Sequence, residues 1–238
     1  MSNFPFQRIQ NDLATLIAKS DAGKRLPSEP DLAKQLGVSR ATLREAMRMF
    51  EGQGLIRRRQ GSGTFVVGRV PVMDTGLEVL ESVETMAKRL GLEVSVSDLQ
   101  VEQVLADAEL ADGLSVEQGA KLTRIRRVIR EEGRPVAYLV DILPDDFLKP
   151  SDLPNSFKGS VLDFLIDRND PLTTSRAAIS ATGAVPEVAK ALQIQRGDVL
   201  LQFISQLFTR EGRVTDYSVS YFIPGYFHFH VVRRVGSS

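Results

Sequence analysis

The sequence predicts two modules in series. The first is an N-terminal winged helix-turn-helix, mostly α with a β wing, and the second is an α+β domain with an antiparallel sheet. Three observations carry that prediction. Apolar residues recur at helical spacing over the first fifty residues and at strand spacing from Val94 onward. A Gly-Ser-Gly tip at 61–63 sits between two β-prone runs, directly after a pair of short helices. Charge is also segregated. Residues 1–69 hold 12 Lys/Arg against 6 Asp/Glu, and residues 70–238 hold 18 against 24, so a net charge of zero hides +6 followed by −6.

A length of 238 residues suits two domains, and 42% hydrophobic with 25% charged residues is enough apolar matter for two modest cores. The absence of cysteine excludes disulfides, thiolate zinc sites, iron–sulfur clusters and a Cys nucleophile. No run of eighteen apolar residues occurs, and the opening Met-Ser-Asn-Phe-Pro-Phe-Gln-Arg lacks the order of a signal peptide. The expectation is a cytoplasmic protein without a membrane partner, whose basic third meets a polyanion.

The elements of the basic third follow in order. Ile9, Leu13, Leu16 and Ile17 predict a helix over about 6–19, and residues 21–24 break it. Ser28 is placed to cap a second helix, with Asp31 at the capping-box position and Pro30 tolerated in the first turn. Leu32, Ala33 and Leu36 are its buried side, and Gly37 ends it with a left-handed cap. Ser39 opens a third helix with Leu43, Ala46, Met47 and Phe50 inward.

Two short helices joined by residues 36–39 form a helix-turn-helix. The first turn of its second helix has to enter a major groove about 12 Å wide. Its outward residues should be small or able to donate hydrogen bonds, and here they are Ser39, Arg40, Ala41, Thr42 and Arg44. Arg40 and Arg44, four apart, share a face and can donate to guanine edges or clamp phosphates. The hairpin after Gly54 is a wing, and its consecutive Arg57, Arg58 and Arg59 should repel one another without an anionic partner. Residues 61–63 are not a nucleotide loop, because strands flank them on both sides.

The ordered set Leu26-Pro27-Ser28-Glu29, Leu32-Ala33, Leu36-Gly37-Val38-Ser39-Arg40, Thr42-Leu43-Arg44, Gly54-Leu55-Ile56 and Gly61-Ser62-Gly63-Thr64-Phe65-Val66 resembles the winged-helix domain of the GntR family of bacterial regulators. The resemblance covers nearly all of residues 4–67. It implies DNA contacts at Ser39, Arg40, Thr42 and Arg44 in the recognition helix and at Gln60 and Gly61 in the wing. Pro30 departs from the family, which places an operator-touching Arg there: either affinity is lower or another base, with Arg59 the candidate, contributes in its place. The domain boundaries expected are 1–67 for DNA binding, 68–76 for a linker and 77–238 for the second domain.

In the acidic remainder, Leu77, Leu80, Val83, Thr85 and Leu90 predict a helix. Val94, Val96, Leu99, Val101 and Val104 predict a long strand. Further strands are expected over 121–130, 135–143, 199–208 and 214–222, with helices at 161–166 and 187–192. Residues 122–127, 132–136, 143–144, 212–218 and 226–229 resemble the UTRA effector-binding domain of the HutC branch of that family, over roughly 80–234. The fold this implies is chorismate-lyase-like. The resemblance also implies a pocket at Arg127, Ile129, Leu139, Ser160, Leu162 and Asp216, with a late aromatic at Tyr221 or Phe222.

Sugar-phosphate-sensing members use polar groups at four positions where this chain has Ile129, Leu139, Leu162 and Phe222. One guanidinium beside an apolar wall suggests an effector with an apolar body and at most one acidic end, such as an aryl or fatty acid, held by Arg127.

An enzyme is the alternative, a chorismate-lyase-like domain tethered to a DNA-binding module. His228 and His230 share a strand face, but no third ligand stands near them in sequence, so no metal is expected and they read as partly buried strand histidines. The pairs Glu131-Glu132 and Asp145-Asp146 read as turn carboxylates, and no Ser-His-Asp order stands out. The expectation is therefore a ligand-responsive DNA-binding regulator, not an enzyme, without a cofactor. It should bind a palindromic double-stranded DNA operator as a homodimer joined through the 70–238 half.

Overall fold

The structure, a computed structural model, describes residues 5–21, 23–52, 55–59, 62–67 and 73–233. Its chain divides into two compact units, Met1–Val72 with Pro224–His228, and Met73–Ile223 with Phe229–Ser238.

In the first unit, α1 (Pro5–Ala18), α2 (Glu29–Leu36) and α3 (Arg40–Gly52) precede a hairpin of β1 (Ile56–Arg59) and β2 (Gly63–Val66). Ile9, Leu13, Leu32, Leu43, Ala46, Met47, Phe50, Ile56 and Val66 form one buried cluster, so each helix turns its apolar stripe inward. The Ser28 hydroxyl accepts from the Asp31 N–H, which satisfies one orphan donor at the start of α2, and donates to the Asp31 carboxylate at 2.5 Å. Gly37 ends α2 at φ +66°, a conformation glycine adopts without steric penalty. Residues 24–26, at the end of the break expected over 21–24, join the wing. Val66 N–H donates to Lys24 O and Leu26 N–H to Thr64 O, both at 2.8 Å, so this segment adds a third edge to the wing.

The second unit is built on a six-stranded sheet of order β4-β5-β6-β9-β8-β7, antiparallel throughout. Its strands are β4 (Val94–Leu105), β5 (Lys121–Glu131), β6 (Arg134–Pro144), β7 (Leu172–Gly183), β8 (Val199–Thr209) and β9 (Val214–Phe222). Helices α4 (Val83–Arg89), α5 (Ala108–Leu114), α6 (Val161–Asp167) and α7 (Pro186–Leu192) fall between them. Met73–Gly76 (β3) and Phe227–His230 (β10) form a separate pair.

Each face of the large sheet buries its own cluster. Leu114 of α5 packs with Leu122, Ile142 and Tyr217 on one face. Val161 and Leu165 of α6 pack with Ile125, Leu143 and Leu207 on the other.

Three expectations need correction. Met73–Gly76, within the expected linker, is a strand, while residues 68–72 lie outside the described residues. The helix expected from Leu77 begins only at Val83, where Ser82 caps it by accepting from Thr85 N–H at 2.9 Å. Strand β7 and helix α5 were not foreseen. Most of β7 is small, polar and exposed, so it carries no alternating apolar signal.

Candidate DNA-reading surface and ligand-binding face

At the start of α3, Ser39 Oγ accepts from Thr42 N–H at 3.1 Å and lies 2.7 Å from Thr42 Oγ1. Both hydroxyls are thereby held at the helix start. Ser39, Arg40, Ala41 and Arg44 are exposed and Thr42 is half-buried, while Leu43, Ala46 and Met47 on the opposite side are wholly buried. Arg44 Nε donates to Glu29 Oε2 at 2.7 Å, which ties its guanidinium to the first residue of α2. Among the described residues Arg40 makes no ion pair and is open to a partner.

The wing corrects the expectation of three mutually repelling arginines. Strand alternation sends Arg57 outward and Arg58 inward. Arg58 Nη1 lies 3.7 Å from Glu29 Oε1, and its Nε lies 3.5 Å from Glu51 Oε2. Its charge is therefore met within the domain. Gln60 and Gly61, and the side chain of Arg59, lie outside the described residues.

Sequence reasoning missed Arg25. Gly63 has φ +108°, and a Cβ there would stand 2.6 Å from Arg25 Nε, so the wing strand lies directly against that exposed guanidinium. The adjoining Lys24-Arg25 pair was the signal available.

In the second unit, strand register sorts the expected pocket residues. Arg127 is paired with Leu139, Leu139 with Ser220, Ala137 with Phe222, and Leu207 with Asp216. Arg127, Ile129, Leu139, Asp216 and Phe222 therefore share the face covered by α6. Ser160 caps α6, its hydroxyl accepting from Asp163 N–H at 3.3 Å, and Leu162 packs with the cluster around Ile125 on that face. Gly159 sits on Arg127: a Cβ there would be 2.8 Å from Arg127 Cδ. Tyr221 does not join them. It pairs with Tyr138 on the opposite face, their ring centroids 6.3 Å apart, because a one-residue step reverses direction.

Arg127 is 4% exposed and ion-paired with Asp141. Its Nε also lies 3.7 Å from Glu84 Oε1 of α4. Asp216 is likewise buried, and its Oδ1 accepts from Ile142 N–H at 3.2 Å. Burial, reinforced by the Asp141 charge, pushes the Asp216 carboxyl well above the usual range. Burial also raises Glu84, against the opposing pull of Arg127. Burial works to lower Arg127, but Asp141 and Glu84 outweigh it and hold the guanidinium above its ordinary value.

Carboxylates of the protein thus already lie against Arg127, the guanidinium at which an acidic effector end is expected. Asp141 and Glu84 were both missed. Asp141 was visible as a lone acid in the apolar run 136–143, whereas nothing local tied Glu84 to Arg127.

The remaining candidates have structural surroundings. His228 and His230 are exposed rather than partly buried. Asp74 of β3, which sequence did not connect to them, has its Oδ1 2.9 Å from His230 Nδ1. Asp145 accepts from Thr123 at 2.9 Å, and Asp146 pairs with Arg213 at 2.5 Å. No described helix is long and apolar enough to cross a membrane.

A recognition helix with a wing, joined in one chain to an α+β ligand-binding domain, defines a ligand-responsive DNA-binding transcription regulator. Two family profiles match it: "Bacterial regulatory proteins, gntR family" over residues 6–66 and "UTRA domain" over residues 89–228. The chain belongs to the GntR family and carries its UTRA effector domain.

Among its relatives, the HTH-type transcriptional repressor NagR of Bacillus subtilis is 28% identical over 219 residues, covering 90% of this chain and 88% of that protein. The histidine utilization repressor of Pseudomonas putida is 31% identical over 180 residues, covering 74% and 70%. The crystal structure of PhnF from Mycobacterium smegmatis shares the fold, with a TM-score of 0.65 at 21% identity over 96% of this chain and all of that one.

Proposed function

We propose that this chain is a transcriptional repressor that binds a palindromic operator as a homodimer and changes its DNA affinity when a small molecule occupies the Arg127 face. The observation that carries the DNA half is the exposed Ser39–Arg40–Ala41–Arg44 strip backed by a wholly buried Leu43, Ala46 and Met47. Ser39, Arg40, Thr42 and Arg44 read base edges, while Arg59, Gln60 and Gly61 brace the wing on the backbone. Two of the relatives are named repressors, which supports the sign of regulation.

Self-association runs through the second domain. Strand β7 is a twelve-residue sheet edge, mostly exposed, whose one charged side chain is Arg176. Such an edge presents unpaired N–H and C=O groups to a second copy. The opposite edge, β4, is blunted by a bulge between Ser97 and Gln100 and by Asp98 and Glu102. The effector acts by linkage: a tenfold preference for one DNA-binding state moves operator affinity by about 1.4 kcal/mol.

The test is light scattering of the purified chain, followed by titration of a palindromic duplex and of its half-site. A dimer that binds the palindrome at least tenfold more tightly than the half-site is expected. A monomer with equal affinity for both would overturn the proposal.

A further inference from the structure

The wing carries positive charge that its own domain does not answer. Phe65 of β2 is paired with Arg57 of β1 on one side and with Arg25 on the other. Residues directly opposite one another in antiparallel pairs point to the same face. Arg25, Phe65 and Arg57 therefore form one row on the outward face of the wing. Thr64 and Val66, on either side of Phe65, turn inward and are buried.

Gly63 shapes the end of that row. It lies two residues from Phe65 on the same face, and a Cβ there would stand 2.6 Å from Arg25 Nε and 3.1 Å from Arg25 Nη2. The guanidinium of Arg25 thus lies along β2 in the space a side chain at 63 would fill. The backbone of Arg25 is fixed as well, since Val66 N–H donates to Lys24 O and Leu26 N–H to Thr64 O on either side of it.

Arg25 and Arg57 are exposed, and among the described residues neither side chain makes an ion pair or a hydrogen bond. Other arginines of this unit are met internally: Arg44 and Arg58 share Glu29, and Arg48 pairs with Glu45. The row holds two guanidiniums two strand spacings apart, about 10 Å, with an aromatic ring between them and no carboxylate. That arrangement fits a polyanion with regularly spaced charges. A DNA duplex is one, with a negative charge for about every 1.7 Å of its axis.

We propose that Arg25 is a DNA-backbone contact, and that the outward face of the wing binds phosphates through Arg25 and Arg57. The proposal rests on reading the chain as a DNA-binding regulator and extends the wing's contact from its tip to its face. Phosphate oxygens accept from both guanidiniums. Because phosphates carry no sequence, Arg25 adds affinity without selectivity.

The test is an anisotropy titration of the full chain with two duplexes of unrelated sequence across a salt series. Arg25→Gln should weaken binding to both by about threefold or more, and make the slope of log affinity against log salt shallower by about one. Arg25→Lys, which keeps the charge, should restore the slope. Arg196→Gln, at an exposed position in the second unit, should leave it as in the wild type. A folded Arg25→Gln variant with the wild-type slope, a loss confined to one duplex, a slope that Arg25→Lys does not restore, or an equal loss in Arg196→Gln would each overturn the proposal. Phenylglyoxal modification of the wild type, read by mass spectrometry, decides even if Arg25→Gln does not fold. Bound duplex should protect Arg25 and leave Arg196 reactive, and an Arg25 equally reactive with and without duplex would overturn the assignment. A wild type that ignores both duplexes refutes the regulator itself, whereas one that binds them with Arg25 unprotected refutes only this contact.

Discussion

Replacing Arg127 by Met keeps roughly the side-chain length and removes the charge from a site that is 4% exposed. Asp141 then loses its ion-pair partner, and Glu84 and Asp216 lose the cation that offsets their burial. Removing one partner of a buried pair destabilises by about 3–5 kcal/mol, because the other charge stays buried and unpaired. For a domain of this size each kcal/mol lowers the melting temperature by about 2–4 °C, so a fall of about 6–20 °C is expected.

The deficit must depend on pH with a definite sign. Burial already raises the Glu84 and Asp216 carboxyls above their ordinary values, and loss of Arg127 raises them further. A carboxyl raised in the folded state holds its proton better there than in the unfolded chain. Its contribution is present at low pH and lost as pH rises from the ordinary carboxylate value through the folded one. Thermal melts of both proteins at pH 5 and pH 8 should therefore show a smaller deficit at pH 5. A deficit under about 1 kcal/mol, or one equal at both pH values, would refute the account of a buried cation holding carboxylates together.

Arg40→Ala should weaken operator binding by about 1–3 kcal/mol at fixed salt without changing the melt. Unchanged affinity in an anisotropy titration would remove Arg40 from the reading surface. The wing arginines should separate. Arg57→Ala should reduce the salt slope of DNA binding by about one, whereas Arg58→Ala, which takes the cation from Glu51 and leaves Glu29 with Arg44 alone, should lower the melting temperature instead. The same shift in both variants would contradict their opposite orientations. Ser28→Ala should destabilise the first domain by about 1 kcal/mol through loss of the α2 cap, measured by denaturant unfolding.

The first domain was legible because its signals are local. Ser28 and Gly37 mark both ends of α2, and Leu43, Ala46, Met47 and Phe50 mark the inner side of α3. The third edge of the wing was not legible, since residues 24–26 pair only with β2 and carry no alternation. In the second domain, β5, β6, β8 and β9 were visible through their apolar runs, while β7 was hidden by its small exposed residues. The shared face of the expected pocket residues was half legible for a related reason. Arg127 and Ile129 fall on one face by counting along β5, but placing Leu139 beside them and resolving Tyr221 from Phe222 needed the strand pairing. That Arg127 is already held by Asp141 and faced by Glu84 of α4 depends on contacts distant in sequence.

The most direct measurement is selection of random duplexes by the full-length chain, with affinity of the winners followed against salt concentration. The account predicts an enriched sequence with two inverted half-sites about one helical turn apart, or a multiple of that. Its binding should weaken steeply as salt rises. Recovery of no preferred sequence, or of one bound equally well after Arg40 and Arg44 are both replaced by Ala, would contradict it.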